Sequence, residues 1–374
     1  MKFIEAVLIL SGMIIGVGMF GIPFSFVASG FWLGALELII LTGVILLLHL
    51  FYGEIVLKTS EYHRMPGYVR VYLGRWPAML SWGSALFGIL GTLLAYILVG
   101  SIFLDGIFQN FWPGSSEIFW ALFMAGAGAV IIFFPLRKAA TVNGVLTALL
   151  IVFILFLIIA LFPKVSFANL GGANFREVFT PYGVLLFALS GGVVIPDLIS
   201  FLGKDRARAR AAITLGTIIP ALLYFFFALT IAGVLGNQVS EEAIRGLLPV
   251  MGENVVIFGN IIGFLAVFTS FVVLLSSFRA LLRLDLGMPK FISWAAASFS
   301  PPALYFLGFH SFIAVIGVVG AIAVGIDSLL IIASYHALRA RAGVSFVWFS
   351  YFWKALIYAL IIAGVVFEIY KIVF

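Results

Sequence analysis

Glycine and proline are concentrated at two places where an apolar helix would otherwise run on. Ser11–Pro23 (SGMIIGVGMFGIP) holds Gly12, Gly16, Gly18 and Gly21, and Pro23 removes one more backbone donor. Ser190–Pro196 (SGGVVIP) sets Gly191 beside Gly192, then a proline suited to the first turn of a restarted helix. Backbone groups freed in lipid are costly, so such a break survives only where a cavity, water or a ligand satisfies it. The ends it creates offer N–H groups that suit a carboxylate and carbonyls that suit an ammonium group or a small cation. Glycine lets a zwitterion approach the backbone closely. Two facing breaks would select amino-acid-like molecules without a buried charged side chain. Taken singly, either cluster also reads as close helix packing, Gly12 and Gly16 having the small-xxx-small spacing. Their occurrence as a pair is what points to a site.

The elements that must carry these breaks follow from composition. Of 374 residues, 64% are hydrophobic and 10% charged, against about 45–50% and about 25% in soluble domains. Mean hydropathy is +1.25. Soluble enzymes, nucleic-acid binders and disordered scaffolds are excluded, and long continuous apolar runs exclude a transmembrane β-barrel. With no cysteine there is no disulfide, thiolate metal site or cysteine nucleophile. The chain is expected to be an all-α membrane protein.

At about 20 apolar residues per crossing, eleven transmembrane helices are expected: Ile4–Ala28, Trp32–Leu57, Met79–Phe108, Ile118–Leu136, Val142–Phe162, Val178–Leu202, Ala211–Leu235, Val255–Leu282, Phe291–Gly308, Phe312–Tyr335 and Phe346–Val373. The first is too long for a cleaved signal peptide and lacks a small-residue cleavage site. Net charge is +6, and a cytoplasmic N-terminus puts sixteen of the 21 Lys and Arg on the inner side. They are Lys2 and the basic residues between Lys58 and Arg75, at Arg137 and Lys138, from Lys204 to Arg210, from Arg279 to Lys290, and at Arg339 and Arg341. An odd number of spans in a cell membrane leaves the C-terminus outside. Lys58–Trp76 reads as an interfacial helix. Ser240–Asn254 reads as a short external helix with two acids in its first turn, able to cover an outward vestibule.

The breaks fall in spans one and six. An offset of five inverts one five-helix unit relative to the other, and paired interrupted helices point to a secondary transporter's central site. The expected organisation is a five-plus-five inverted repeat, residues 1–163 and 164–336, with discontinuous helices 1 and 6, followed by an eleventh helix in 337–374.

At these residues the chain resembles the amino acid–polyamine–organocation superfamily, whose five-plus-five fold was first seen in the bacterial leucine transporter. Its amino acid/auxin permease and aromatic amino acid permease branches are the most similar. The likeness is carried by SGMIIGVGMFGIP, by FALSGGVVIPDLISFLGKD (Phe187–Asp205) and, more weakly, by FTSFVVLLSSFRALL (Phe268–Leu282). It implies substrate contact by the backbone of Gly16, Val17 and Gly18 in span one and of Ser190, Gly191 and Gly192 in span six. In sodium-coupled relatives a cation lies between span-one carbonyls and span-eight hydroxyls, here Gly12 and Ile15 with Thr269 and Ser270. Some proton-coupled relatives place a lysine in span five instead, which Val142–Phe162 lacks. The coupling ion, sodium or proton, stays open.

Other polar residues in the spans are weighed singly. Asp197 follows Pro196 and is either a carboxylate near the site or an acid stabilising a helix start. Glu37 and Asp327 lie deep in spans two and ten, where an unpaired acid costs about 2.5–3.5 kcal/mol on insertion scales, so a coupling or gating role is expected. Lys354, in the last span, reads as a snorkelling residue. Glu54 reads as interfacial, and His49 as a hydrogen-bonded packing residue. Phe187, beside the second break, could lie over the substrate, and Tyr96 and Ser101 could line the pocket from span three. No histidine–carboxylate cluster has metal-site spacing, and no nucleophile–base pair suggests an enzyme. No cofactor is expected beyond a sodium ion. The expected activity is cation-coupled symport, by alternating access, of a neutral (small or aromatic) amino acid. A passive channel or facilitator is the alternative, although no continuous polar lining is visible.

Overall fold

The computed structural model describes residues 2–109, 111–134, 139–284, 286–341, 358–359 and 362–367. Every regular element among them is helical. The chain enters through α1 (Lys2–Ile14), a 3-10 turn (Val17–Gly21) and α2 (Ile22–Ser29), then runs through α3 (Phe31–Lys58), α4 (Met65–Leu73) and α5 (Arg75–Phe108). Next come α6 (Glu117–Phe133), α7 (Ala139–Leu161), α8 (Thr180–Leu189), a 3-10 turn (Gly192–Val194) and α9 (Ile195–Phe201). The remainder comprises α10 (Arg206–Leu235), α11 (Leu248–Met251), α12 (Glu253–Leu284), α13 (Lys290–Phe306), α14 (Phe312–Val319), a π-helical turn (Gly320–Val324) and α15 (Gly325–Arg341).

Local chemistry sets the ends. Ser116, Asp205 and Ser311 accept backbone N–H groups at the starts of α6, α10 and α14. Gly30 and Gly74 adopt φ of 96° and 92°, letting one helix stop and the next begin without a linker. Pro23 and Pro196 sit in the first turns of α2 and α9, where a missing N–H costs nothing.

Among the described residues, seven helices are long and apolar enough to cross a membrane, or eight if the bent α1–α2 pair counts as one. These correspond to expected spans one, two, three, five, six, seven, eight and ten. Expected spans four and nine become α6 and α13, 17 residues each. At that length they stand at the lower end of the about 17–25 residues that a crossing takes. Expected span eleven lies outside the described residues except at 358–359 and 362–367, and Lys354 lies outside them altogether. There Gly364 packs on Tyr182, and the Phe367 ring lies 4.6 Å from that of Phe179.

The core forms where α5 lies along α12 and α10 runs beside α1 and α3. Exposed side chains on the long helices are largely apolar, as with Ile39, Val152 and Ile159. That is the surface a bilayer covers, and α4 forms within Lys58–Trp76, the stretch expected to lie at the interface.

Candidate functional site

The first break is an abrupt bend. The limbs Lys2–Ile14 and Val17–Ser29 diverge by 52°, with Ile15 and Gly16 between them in irregular backbone. The second comes where α8 stops at Leu189 and Ser190 and Gly191 leave helical geometry. The two breaks touch. A Cβ on Gly18 would lie 2.9 Å from both the Ala188 Cα and the Phe187 Cδ1. One on Gly191 would lie 2.6 Å from Ile14 Cγ1. Only bare backbone fits at either crossing.

Each broken helix leaves carbonyls without a helical partner. The buried Tyr224 hydroxyl of α10 serves both, lying 2.6 Å from the Ile14 oxygen and 3.1 Å from that of Ala188. Ser190 Oγ donates to the Phe187 carbonyl at 2.8 Å. Ser11 Oγ donates to Gly216 of α10 at 3.3 Å. The breaks are thus held from within.

Beside them lies a small cavity lined by Ile15, Gly16, Val17, Phe20, Tyr96, Thr147, Leu150, Ala266, Val267 and Ser270. Its volume is about 10 Å³, room for about one water. The structure therefore brings Ile15, Gly16, Val17, Tyr96 and Ser270 to one wall-to-wall space and sets Gly18 against Phe187. Ser190, Gly191 and Gly192 do not line it. Gly191 is buried against Ile14 and Leu10, and Gly192 faces His49 and Tyr52 of α3. Ser101 is also absent, its hydroxyl bonded to the Leu98 carbonyl.

Of the expected cation ligands, Ile15 and Ser270 share the cavity and Gly12 stands apart. The Thr269 and Ser270 hydroxyls lie 3.0 and 2.8 Å from Asn143 Oδ1, and Thr269 also lies 2.9 Å from the Leu265 carbonyl. Hydroxyls that donate inward to an amide keep oxygen lone pairs for a cation. No three His, Cys, Asp or Glu come together among the described residues. Tyr224, Asn143 and Thr147 are the site residues that sequence reasoning missed. Asn143 had one signal, a lone amide in a strongly apolar segment.

At the basic end of the bundle, polar contacts join α3 and its following loop to α9 and α10. Glu54 is buried and gripped by Arg206 Nε at 2.9 Å and Arg210 Nη2 at 2.7 Å. It is more than an interfacial residue. Lys204 Nζ donates to the Thr59 carbonyl at 3.0 Å. Asp197 is exposed and accepts the Tyr62 hydroxyl at 2.6 Å. Burial, then that hydrogen bond, pushes the Tyr62 phenol up to about 12. Asp197 thus belongs to this contact and not to the cavity. His49 is buried with its Nδ1 3.0 Å from Thr217 Oγ1, as a packing histidine should be.

At the other end, a cavity of about 840 Å³ opens between α2, α5, α14 and the segment leading into α8, with Glu177, Glu241 and Ser311 among its polar walls. Glu241 of the 240–252 segment lines this cavity, and neither acid of that segment is in a helix. Glu241 accepts Ser311 Oγ at 3.1 Å and the Ile313 N–H at 3.2 Å, and the Glu242 carboxylate accepts the Arg245 N–H. Arg245 in turn reaches Asp105 of α5 at 2.5 Å. The deep acids lie elsewhere. Both Glu37 carboxyl oxygens and Asp327 Oδ1 are buried without a hydrogen-bond partner.

The fold is that of known transporters. Mhp1, a nucleobase-cation-symport-1 family transporter in a closed conformation with bromovinylhydantoin bound, superposes with a TM-score of 0.63 at 14% identity, covering 97% of this chain and 90% of that one. MhsT in complex with L-phenylalanine gives 0.57 at 16% identity, with 97% of each chain covered. A curated relative, the "Tyrosine-specific transport system 2" of Haemophilus influenzae, is 26% identical over 332 residues, covering 82% of this chain and 80% of that one. The match to the tryptophan/tyrosine permease family extends over residues 1–374. That match covers the whole sequence, and this chain belongs to the tryptophan/tyrosine permease family.

Proposed function

We propose that the protein carries an aromatic amino acid across the cell membrane together with a cation, by alternating access. The observation that carries this reading is the contact between the two breaks, where Gly18 meets Phe187 and Ala188 beside a space walled by Tyr96 and Ser270. Substrate carboxylate and ammonium groups would be met by backbone at Gly16, Val17 and Gly18 and at Ser190, Gly191 and Gly192 once these segments part. Phe187 and Tyr96 would flank the aromatic ring. The cation ligands, if sodium is used, are the carbonyls of Gly12 and Ile15 and the hydroxyls of Thr269 and Ser270. Family membership and the relative named for tyrosine favour an aromatic substrate over a small one.

The same reading assigns residues 1–163 and 164–336 to two inverted five-helix halves, and 337–374 to an eleventh span. The basic end faces the cytoplasm with the N-terminus, and the C-terminus lies outside. The contacts of Glu54, Asp197 and Lys204 then close the inner side, and the 240–252 segment covers the outer vestibule.

Uptake of labelled tyrosine, tryptophan and phenylalanine into proteoliposomes tests it. Accumulation above equilibrium under an imposed sodium or proton gradient is the expected result. Equilibration alone would make the protein a facilitator and overturn the coupled reading. With sodium as the driving ion, Thr269→Ala should weaken the sodium dependence of uptake, and an unaltered response would remove that ligand.

A further inference from the structure

Span ten is not a uniform helix. Between α14 and α15 it widens into the π-helical turn Gly320–Val324. Such turns leave carbonyls poorly placed for the next helical N–H and are frequent at functional sites. Here Ser84 of α5 donates to the Ala323 carbonyl at 3.0 Å. The turn touches α8, the helix that ends at the second break. A Cβ on Gly320 would overlap the Gly183 carbonyl and lie 2.7 Å from the Phe187 backbone nitrogen.

Three residues beyond this turn stands Asp327. Its Oδ1 is buried with no hydrogen-bond partner, and Ser84, which holds the turn, is on the neighbouring α5. An ionised carboxylate in that setting would need a cation. Among the described residues no ion pair reaches Asp327. From α5 come the hydroxyls of Ser81 and Ser84, from α3 the phenol of Tyr52, and from α4 that of Tyr68, its ring 5.8 Å from that of Tyr52. On α15 itself, His336 and Arg339 lie nine and twelve residues nearer the basic end. Helices α3 and α4, which carry Tyr52 and Tyr68, both pack on α15. Asp197 is exposed and bonded to Tyr62. Two buried phenols thus stand on helices packed against that of Asp327, and a third phenol holds the exposed acid.

We infer that Asp327 is a proton-binding site, shaped by the π-helical turn and Ser84, and filled from the basic end past Tyr52, Tyr68, Tyr62 and Asp197. The step is the binding of one proton to a carboxylate oxygen, and its reversal on release. The backbone contact of Gly320 with Gly183 and Phe187 links this event to the second break, so proton occupancy and substrate closure bias the same turn. The site is distinct from the hydroxyls of Thr269 and Ser270. Its role as a coupling site rests on the transport reading above, whereas proton binding itself does not.

Two measurements on the full-length protein keep those failures apart. Infrared difference spectra across a pH titration should show a protonated-carboxyl band that Asp327→Asn removes. A band unchanged in that variant overturns the site, whether or not anything is transported. In proteoliposomes, Asp327→Asn should retain tyrosine counterflow and lose accumulation driven by a proton gradient, which for one proton per substrate is about tenfold per pH unit. Wild-type-like accumulation in the variant overturns the coupling role. Absence of counterflow with any aromatic amino acid in the wild-type protein overturns the transport reading and leaves the infrared test standing. Should Asp327→Asn fail to fold, Ser84→Ala decides: the midpoint of the carboxyl band should move, and an unmoved midpoint overturns the assignment.

Discussion

The hydroxyl of Tyr224 lies 2.6 Å from the backbone carbonyl of Ile14, the residue at which the first helix stops. The same phenol is 3.1 Å from Ala188, one residue before the second break's helix stops. A single proton donor on α10 thereby stabilises both interruptions, and it joins them to a helix that neither belongs to.

Removing that donor should be felt at both ends. Tyr224→Phe keeps the ring and leaves buried carbonyls unsatisfied, a cost of about 1–3 kcal/mol. The expected result is a lower unfolding temperature in detergent together with impaired uptake. Unchanged stability would mean the carbonyls find other partners.

The two neighbouring glycines of the first break should respond in opposite ways. Gly18→Ala drives a methyl to 2.9 Å from Ala188 Cα, which is backbone and cannot yield cheaply. Gly16→Ala meets nothing closer than 3.9 Å, and its extended φ of −140° suits alanine. Uptake should collapse in the first variant, with the protein still monodisperse on gel filtration, whereas the second should fold with wild-type stability. Equal behaviour of the pair would count against the contact.

The Tyr62–Asp197 contact should be insensitive to ordinary pH. With its phenol raised to about 12, Tyr62 remains a donor through the physiological range. Its contribution is fully present below the free phenol value of about 10 and is lost only as pH rises through about 12. The effect of Tyr62→Phe on uptake should therefore be the same at about pH 6 and about pH 9. A defect confined to one of these would show that another group titrates there.

At the opposite end, Arg245→Ala breaks the 2.5 Å contact with Asp105 and loosens the 240–252 segment. Ala314 lines the same 840 Å³ cavity as Glu241 of that segment. Because the chain has no native cysteine, Ala314→Cys gives a clean reporter, and its maleimide labelling should run several-fold faster when Arg245→Ala is added. An unchanged rate would show that the segment does not control access.

The first break was legible because the sequence concentrates glycine where lipid would otherwise forbid irregular backbone. Phe187 and Ser270 lay in motifs on numbered spans, Tyr96 was expected only as a pocket liner on span three, and all three stand at or beside the small cavity. Tyr224 could not be found this way. It is one phenol in an apolar run, and its partners are 36 and 210 residues away. Glu54 looked interfacial for the same reason, since Arg206 and Arg210 are remote in sequence. Gly191 and Gly192 were expected to face substrate, but helix-to-helix packing turns them towards α1 and α3. The hydropathy ruler placed the stretches seen as α6 and α13 to within three residues at each end. Pro301 and Pro302 lie inside α13, which runs on to Phe306.

The central space of about 10 Å³ has a kinetic consequence. An aromatic guest is many times larger, so it can be captured only by molecules whose Gly18 and Phe187 have already drawn apart. Observed binding rates should then level off at high guest concentration, at the frequency with which the seat opens. Measured affinity will be weaker than intrinsic affinity by the fraction of time it stands open.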